Sequence, residues 1–117
     1  MISLIFSVIL LLDEASEVER LVQDRFPQAQ VEFRLWDRTR VDILTKSHAI
    51  EVDWAPKWAE GLGQALYYGA VTGKDPGLVL LVKDRNKEAR YIYRAQTVAV
   101  KHGITLWVVE VEGGSDE

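Results

Sequence analysis

The sequence has no cysteine, only three prolines, and fewer basic than acidic residues. Without cysteine the protein has no disulfide, no thiolate metal site and no cysteine nucleophile. Its 14 lysines and arginines against 18 acids give a net charge of −4, which excludes a general basic coat for nucleic acid. Any contact with phosphate must therefore come from a local cluster of basic side chains.

The chain also lacks an apolar run long enough to cross a membrane. Residues 2–12 are apolar apart from Ser3 and Ser7, and a spanning helix needs about 20 such residues. The segment has the length of a signal-peptide core but no basic start and no small-x-small cleavage site. We expect a buried or partner-covered segment in a cytoplasmic protein. Export through an atypical signal segment, or a structural role in an envelope or phage particle, stays open.

The 117 residues predict a single domain, 1–117, without repeats or a linker. Residues 78–82 form a continuous apolar run, typical of a central strand covered on both faces. The order of elements predicts an α/β fold with a mixed sheet and a right-handed parallel crossover. The expected elements are helix 14–26, strands 31–36, 40–45 and 49–54, helix 56–71, strand 78–82, a helix from 84 or 86 to 102, strand 104–111, and a solvated tail at 112–117.

Two alternating runs on either side of TKSH predict an antiparallel hairpin whose partners have numbers that sum to 93. Asp42 then faces Glu51, and Arg40 faces Asp53. Since alternate residues point to opposite faces, these acids share one face. The apolar face would carry Val41, Ile43, Ile50, Val52 and Trp54. Like charges directly opposed across strands destabilise a sheet, so this pairing indicates a functional demand.

The next helix brings polar residues towards these acids. Lys57, Gly61, Gln64 and Tyr68 fall on one helical stripe, and we expect Gly61 to leave space beside Lys57 for a ligand. The core stripe is expected to consist of Trp58, Leu62, Ala65, Leu66 and Gly69. Crowded carboxylates are hard oxygen ligands suited to Mg²⁺ or Mn²⁺. A divalent ion with a nearby lysine is suited to activating water against a phosphodiester.

The element order and these residues resemble the PD-(D/E)XK nuclease superfamily and its αβββαβ core. The family's first acid matches Asp42 in RVDIL, its second matches Glu51 in EVD, and its Gln-x-x-x-Tyr helix motif matches Gln64 and Tyr68 in QALYY. The likeness is closest to a group of small bacterial proteins with a TRVD…AIEVD…KWAE…GQALYY pattern. It implies a restriction-endonuclease-like core with an extra C-terminal helix and strand. The implied activity is a Mg²⁺- or Mn²⁺-dependent endonuclease, a hydrolase acting on nucleic acid, with DNA favoured.

One position departs from the family pattern, because the lysine of its (D/E)-x-K tripeptide is replaced by Asp53. Lys57 could supply the missing ammonium, or the site could be degenerate and the domain a binding or assembly module. Asp53 could be a third metal ligand, a partner for Arg40 or a helix cap. The family often adds an acid from the first helix, for which Glu19 is the candidate and Glu17 nearly as good a one.

Two further expectations concern the rest of the chain. The tryptophans at 36, 54, 58 and 107 are expected to lie mostly in the core, and their pattern in the sequence assigns them no base-stacking role. A homodimer or a larger assembly is expected because small nucleases of this superfamily that cut duplexes often pair two sites, and because residues 2–12 offer apolar area.

Overall fold

The computed structural model describes residues 14–111, so the predictions for 2–12 and 112–117 lie outside the described residues. Within that range the chain forms helices and strands in the predicted order. They are α1 (Glu14–Arg25), β1 (Gln30–Arg34), β2 (Arg40–Leu44), β3 (His48–Trp54), α2 (Trp58–Thr72), β4 (Asp75–Val82), α3 (Ala89–His102) and β5 (Thr105–Glu110), with a 3₁₀ turn, Ala55–Lys57, before α2.

The strands form one mixed sheet in the order β1-β2-β3-β4-β5, which confirms the predicted α/β class. The first three strands are antiparallel, and β3, β4 and β5 are parallel. Residues 78–82 are fully buried near the centre of the sheet, as their apolar run predicts. No helix among residues 14–111 is long and apolar enough to cross a membrane.

The helices cover the sheet from opposite sides. Val18 and Leu21 of α1 pack on the face that carries Ile43, Ile50 and Val52. Side chains of α2 and α3 pack on the opposite face of β4, on Leu78, Leu80 and Val82. Because side chains alternate along β3, Glu51 and Asp53 lie on the α2 face. The acids of the hairpin are therefore covered by α2 and separated from α1 by the sheet.

Two element boundaries differ from the predicted ones for local reasons. Strand β4 begins at Asp75, inside the predicted TGKDPG turn, because its first residues pair with β3 from His48 onward. Helix α3 begins only at Ala89, since Asp84 Oδ1 accepts the backbone N–H groups of Asn86 and Lys87 and holds a turn. Glu88 Oε1 accepts the N–H of Lys83, which closes that turn.

Three side chains lie elsewhere than predicted. Trp36 is 84% exposed in the β1–β2 turn, so the prediction that it belongs to the core is wrong. Leu66 is 40% exposed and lies off the buried stripe of α2. Val41 packs with Leu35, Ala49 and Tyr68 instead of with Ile43 and Ile50.

Gly61 has a packing role that its sequence position does not reveal. A Cβ atom there would lie 2.9 Å from Leu78 Cδ1 and 3.2 Å from Asp53 Cβ. The missing side chain therefore lets α2 approach β3 and β4, and it does not open space for a ligand beside Lys57 as predicted. A Cβ atom at Gly63, two residues further along α2, would meet no neighbouring atom within 4 Å.

The two glycines provide a matched stability test. Gly61→Ala should lower the free energy of unfolding by about 1–2 kcal/mol, because overpacking against Asp53 and Leu78 outweighs the better helix propensity of alanine. Gly63→Ala should raise it by about 0.5–1 kcal/mol, since alanine only gains propensity there. Urea unfolding followed by circular dichroism measures both. Equal effects of the two substitutions would contradict the close packing of α2 on the sheet.

Candidate functional site

The register of the β2–β3 hairpin places two acids opposite each other. Ile43 pairs with Ile50 and Leu44 with Ala49, which confirms the predicted register. Pairing stops at Ile43–Ile50, but the same register continued by one step would bring Asp42 opposite Glu51, and both line one pocket on the α2 face. Glu51 is 7% exposed, and its side chain hydrogen-bonds to Asp42. Two carboxyl groups this close to each other disfavour simultaneous ionisation.

The side chain of Asp42 also accepts a backbone hydrogen bond that the regular sheet pattern would give to a carbonyl of β2. The N–H of Thr45 donates to His48 O, so alternate pairs such as Ile43–Ile50 exchange backbone hydrogen bonds. The next such pair would be Val41–Val52, but the paired residues stop at Ile43–Ile50. Instead, Val52 N donates to Asp42 Oδ2 at 2.8 Å. This bond fixes the Asp42 carboxyl and satisfies a backbone donor where the strands part.

The two acids open into a polar pocket of about 350 Å³ on the α2 face. Helix α2 contributes Gln64 and Tyr68, while β1, β2 and the turn between them contribute the other side of the wall. The structure thus brings together four of the predicted site residues. The pocket is lined by Glu32, Arg38, Thr39, Arg40, Asp42, Glu51, Gln64 and Tyr68.

Burial dominates the electrostatics of Asp42. Removal from water raises the pKa of this carboxyl, whereas the hydrogen bonds from Val52 and Glu51 lower it. Glu32 raises the same pKa and Arg40 lowers it. The main cause of the raised pKa of Asp42 is therefore desolvation, and the nearby charges contribute less.

Asp53 lies deeper, beneath α2, and is 5% exposed. Burial raises the pKa of its carboxyl to about 6, against a hydrogen bond from Trp54 N at 3.1 Å. The charge of Glu60 raises this pKa further, and that of Lys57 lowers it. Since Arg40 pairs with Glu32 at 3.4 Å, Arg40 is not the ion-pair partner of Asp53.

Tyr68 closes the pocket from the helix side. It is 6% exposed, and burial together with the charges of Glu51 and Asp42 raises the pKa of its phenol. Gln64, one turn earlier on α2, is half-buried at the same wall. A neutral phenol and an amide can both donate hydrogen bonds to an anion bound beside the carboxyls.

Two other predicted site residues do not line the pocket. Lys57 is exposed in the 3₁₀ turn, where its charge acts on Asp53. Glu19 is exposed on α1. Its neighbour Val18 packs on the face of the sheet that points away from α2 and the pocket. Glu17 is buried on the same helix and pairs with Arg20. The structure therefore does not bring an acid of α1 to Asp42 and Glu51.

Sequence reasoning missed the wall built by β1 and the β1–β2 turn. Glu32 lies between Val31 and Phe33, which pair with β2, and it lines the pocket together with Asp42 and Glu51. Arg40 lies two residues before Asp42 on the same face, and strict alternation could have assigned it to the site. Arg38 has a left-handed backbone with φ 76°, which nothing in the WDRT sequence signals.

The donor set of this pocket suits a hard divalent cation with few protein ligands. Among residues 14–111, no group of three or more His, Cys, Asp or Glu side chains is arranged to hold a metal. Asp42 and Glu51 provide two adjacent carboxyls, and Asp42 has one oxygen held by Val52. Mg²⁺ is commonly held by one or two carboxylates, with water and substrate phosphate completing the shell. The residues present fit that mode of binding.

Comparison of this chain with protein-family models, with curated proteins and with solved structures finds no match. Assignment of a function therefore depends on the pocket and on the motifs of the sequence.

The raised pKa of Asp53 predicts a stability gain on neutralisation. The folded chain keeps the Asp53 proton up to pH about 6, whereas the ordinary value is 3.8. Stability therefore falls as pH rises from about 4 to about 6, and the full cost persists at neutral pH. Asp53→Asn removes this cost and still offers an oxygen to Trp54 N–H. At about 1.4 kcal/mol per pKa unit, we expect a gain of roughly 1–3 kcal/mol at neutral pH.

Urea unfolding across the pH range measures this gain. It should vanish at about pH 3, where both states hold the proton. The exposed Asp75 provides a matched control, and Asp75→Asn should change stability by less than about 0.5 kcal/mol at every pH. A constant effect of Asp53→Asn between acid and neutral pH would rule out burial of an ionisable group at this position.

Proposed function

We propose that this protein is a metal-dependent nuclease of the PD-(D/E)XK type, which hydrolyses phosphodiester bonds of DNA with Mg²⁺ or Mn²⁺. The observation that carries the proposal is the Asp42–Glu51 pair, two hydrogen-bonded carboxyls held on neighbouring strands at a polar pocket. Such a pair costs stability without a cation, and a bound divalent ion would relieve the repulsion. The motif residues Gln64 and Tyr68 at the same pocket support the resemblance to this superfamily.

In this proposal Asp42 and Glu51 hold the ion, and the Val52 N–H orients the Asp42 carboxyl. When bound, the ion supplies Lewis acidity towards the phosphodiester and favours ionisation of an attacking water. Gln64 and Tyr68 donate hydrogen bonds to the phosphate. Asp53 is not among the residues that line the pocket, so the proposal does not make it a metal ligand. Its carboxyl interacts electrostatically with the ammonium of Lys57.

The surroundings of the pocket favour a polyanionic substrate. The carboxyl ends of β3, β4 and β5 share one edge of the sheet with the start of β2. Ligands of α/β proteins commonly bind at this end of the strands. Exposed basic residues from three loops lie along it, namely Arg38, Arg40, Lys57, Lys83, Arg85 and Lys87. These cations could contact the phosphates on either side of the bond that is cleaved.

A second candidate is a nucleic-acid-binding module without hydrolytic activity. It is favoured by one observation, that no lysine is among the residues lining the pocket. Both candidates expect nucleic-acid binding, and only the first expects metal-dependent cleavage.

The proposal includes a homodimer. Strand β1 is an edge strand whose five residues are all exposed, including Val31 and Phe33. An exposed edge of this kind can pair with another copy of the chain. Light scattering of the full chain gives the mass, and a monomer would remove this part of the proposal only.

The activity test is a cleavage assay on plasmid and oligonucleotide DNA with Mg²⁺, Mn²⁺ or a chelator. Glu51→Gln should abolish cleavage and weaken Mn²⁺ binding in calorimetry, because it removes one of two ligands. It should fold normally or with slightly higher stability, since the carboxyl pair is relieved. Glu19→Gln provides the control, because Glu19 lies across the sheet, and it should retain wild-type cleavage and Mn²⁺ affinity.

Two outcomes would overturn the proposal. Unchanged Mn²⁺ affinity in Asp42→Asn would remove the metal site. Binding of DNA without cleavage by the wild type in either metal would leave the inactive module as the function.

A separate prediction concerns the cation that stabilises charge on the phosphoryl oxygens. We propose that Lys57 fills this role, since its flexible stem starts beside Asp53 at the edge of the sheet that holds the pocket. Lys57→Ala should then fold and bind Mn²⁺ normally but cleave about 10²–10³ times more slowly. Lys46, exposed in the hairpin at the opposite edge, is the control, and Lys46→Ala should cleave at the wild-type rate. A normal rate in Lys57→Ala would exclude the lysine and direct attention to Arg38, which lines the pocket.

A further inference from the structure

The turn between β1 and β2 presents a tryptophan to solvent beside the pocket. Trp36 is 84% exposed, the same fraction as Val100 on the distant α3 and well above the exposed tyrosines. Its neighbour Leu35 is buried, so the turn is anchored in the core next to the exposed indole. A large aromatic ring that an anchored turn exposes to water offers a flat binding surface.

Hydrogen bonds make this turn rigid. Leu35 N donates to Thr39 O at 2.8 Å, and Arg38 N donates to Leu35 O at 3.0 Å. Asp37 Oδ1 accepts from Thr39 N at 3.0 Å and from Thr39 Oγ1 at 2.6 Å. The hydroxyl of Tyr67 donates to Asp37 Oδ2, which fastens the turn to α2. Bonds from Thr39 and Tyr67 lower the pKa of Asp37, so its carboxylate stays ionised in this network.

The backbone of the turn is also held in an unfavourable conformation. Arg38 has φ 76°, in the left-handed region, which costs a residue with a Cβ about 1 kcal/mol or more. The conformation lets Arg38 line the pocket while Trp36, two residues earlier, stays exposed. Strain of this kind persists where the surrounding structure enforces it, and it is frequent at binding sites.

Three arginines lie in or next to the turn that carries the exposed ring. Arg34 stands directly opposite Arg40 in the β1–β2 register, a like-charge pair that disfavours the sheet unless an anion is present. Within residues 14–111, Arg40 pairs with Glu32, whereas Arg34 and Arg38 have no ion-pair partner. The combination of one exposed aromatic face and two unpaired guanidinium groups is typical of nucleic-acid contacts.

We propose that the Trp36–Arg38 turn binds an unpaired nucleotide of the substrate strand. The indole of Trp36 stacks on the base, and Arg34, Arg38 and Arg40 contact the flanking phosphates. The strand would thus be led towards Asp42 and Glu51. This inference rests on the proposed function for its choice of DNA, and it specifies single-stranded or frayed DNA, because the face of a base is accessible only outside the duplex.

Fluorescence anisotropy in the presence of EDTA tests binding apart from cleavage. The probes are a fluorescein-labelled oligothymidylate of about 12 nucleotides and a duplex of the same length. Trp36→Ala should weaken oligothymidylate binding by roughly 5- to 100-fold, the range expected for one stacked base. Duplex binding should change less than about twofold. Trp36→Phe should keep most of the affinity, because phenylalanine also stacks.

Two control variants complete the design. Tyr93→Ala removes an aromatic that is 70% exposed on α3, and it should leave both affinities unchanged. Arg38→Ala should weaken both probes and reduce the slope of log affinity against log salt by about 0.7 for the single strand.

Unchanged oligothymidylate affinity in Trp36→Ala would overturn the stacking role, as would an equal loss on the duplex. The role would also be excluded if Trp36→Ala altered the mass in light scattering but not the affinity, because that marks a protein contact. Failure of the proposed hydrolysis is separable. Trp36-dependent binding without cleavage in Mg²⁺ or Mn²⁺ supports this inference while removing the nuclease activity.

Discussion

The hydrogen bond from Val52 N–H to Asp42 Oδ2 is the constraint on which the pocket depends. The bond lies where β2 and β3 stop pairing. The carboxyl of Asp42 there accepts the Val52 N–H in place of a backbone carbonyl of β2. An unsatisfied buried N–H would cost about 1–3 kcal/mol, and Asp42 removes that cost by staying in place. The same carboxyl also hydrogen-bonds to Glu51. One acid thus supports the sheet and positions the second acid at the pocket.

The close approach of α2 sets the chemistry of these acids. Gly61 allows the helix to lie against Asp53 and Leu78, and Tyr68 and Ala65 are buried along the same face. Water is thereby removed from one side of the carboxyls, which is why burial is the leading cause of the raised pKa values of Asp42 and Asp53. If α2 lay further from the sheet, water would reach these carboxyls and their pKa values would be close to the ordinary ones. Packing therefore determines what the acids can do.

Alternation and turn length were sufficient to predict the register of β2 and β3 and to bring Asp42 and Glu51 to one pocket. The continuous apolar run of residues 78–82 was sufficient to predict a strand covered on both faces. The exposed Trp36 was not predictable, since an aromatic in a short sequence segment usually indicates core. Nor was the left-handed Arg38, because a glycine or asparagine normally marks such a backbone. The contribution of Gly61 required knowledge of how near α2 lies to β4, which is a tertiary distance that no local pattern encodes.

The position of Asp53 explains why a lysine would be poorly placed there. Its Cβ would lie 3.2 Å from a Cβ at Gly61 of α2, and the side chain is 5% exposed. A lysine stem would have to run beneath the helix past Gly61, and its buried ammonium would lose hydration. Lys57 and Arg38 stand outside this covered region at the same edge of the sheet, where a cation keeps contact with water and can meet a phosphate. A buried acid on the strand and exposed cations at the rim are thus compatible with the proposed polyanionic substrate. The close packing of α2 accounts for an acid, and not a lysine, at position 53.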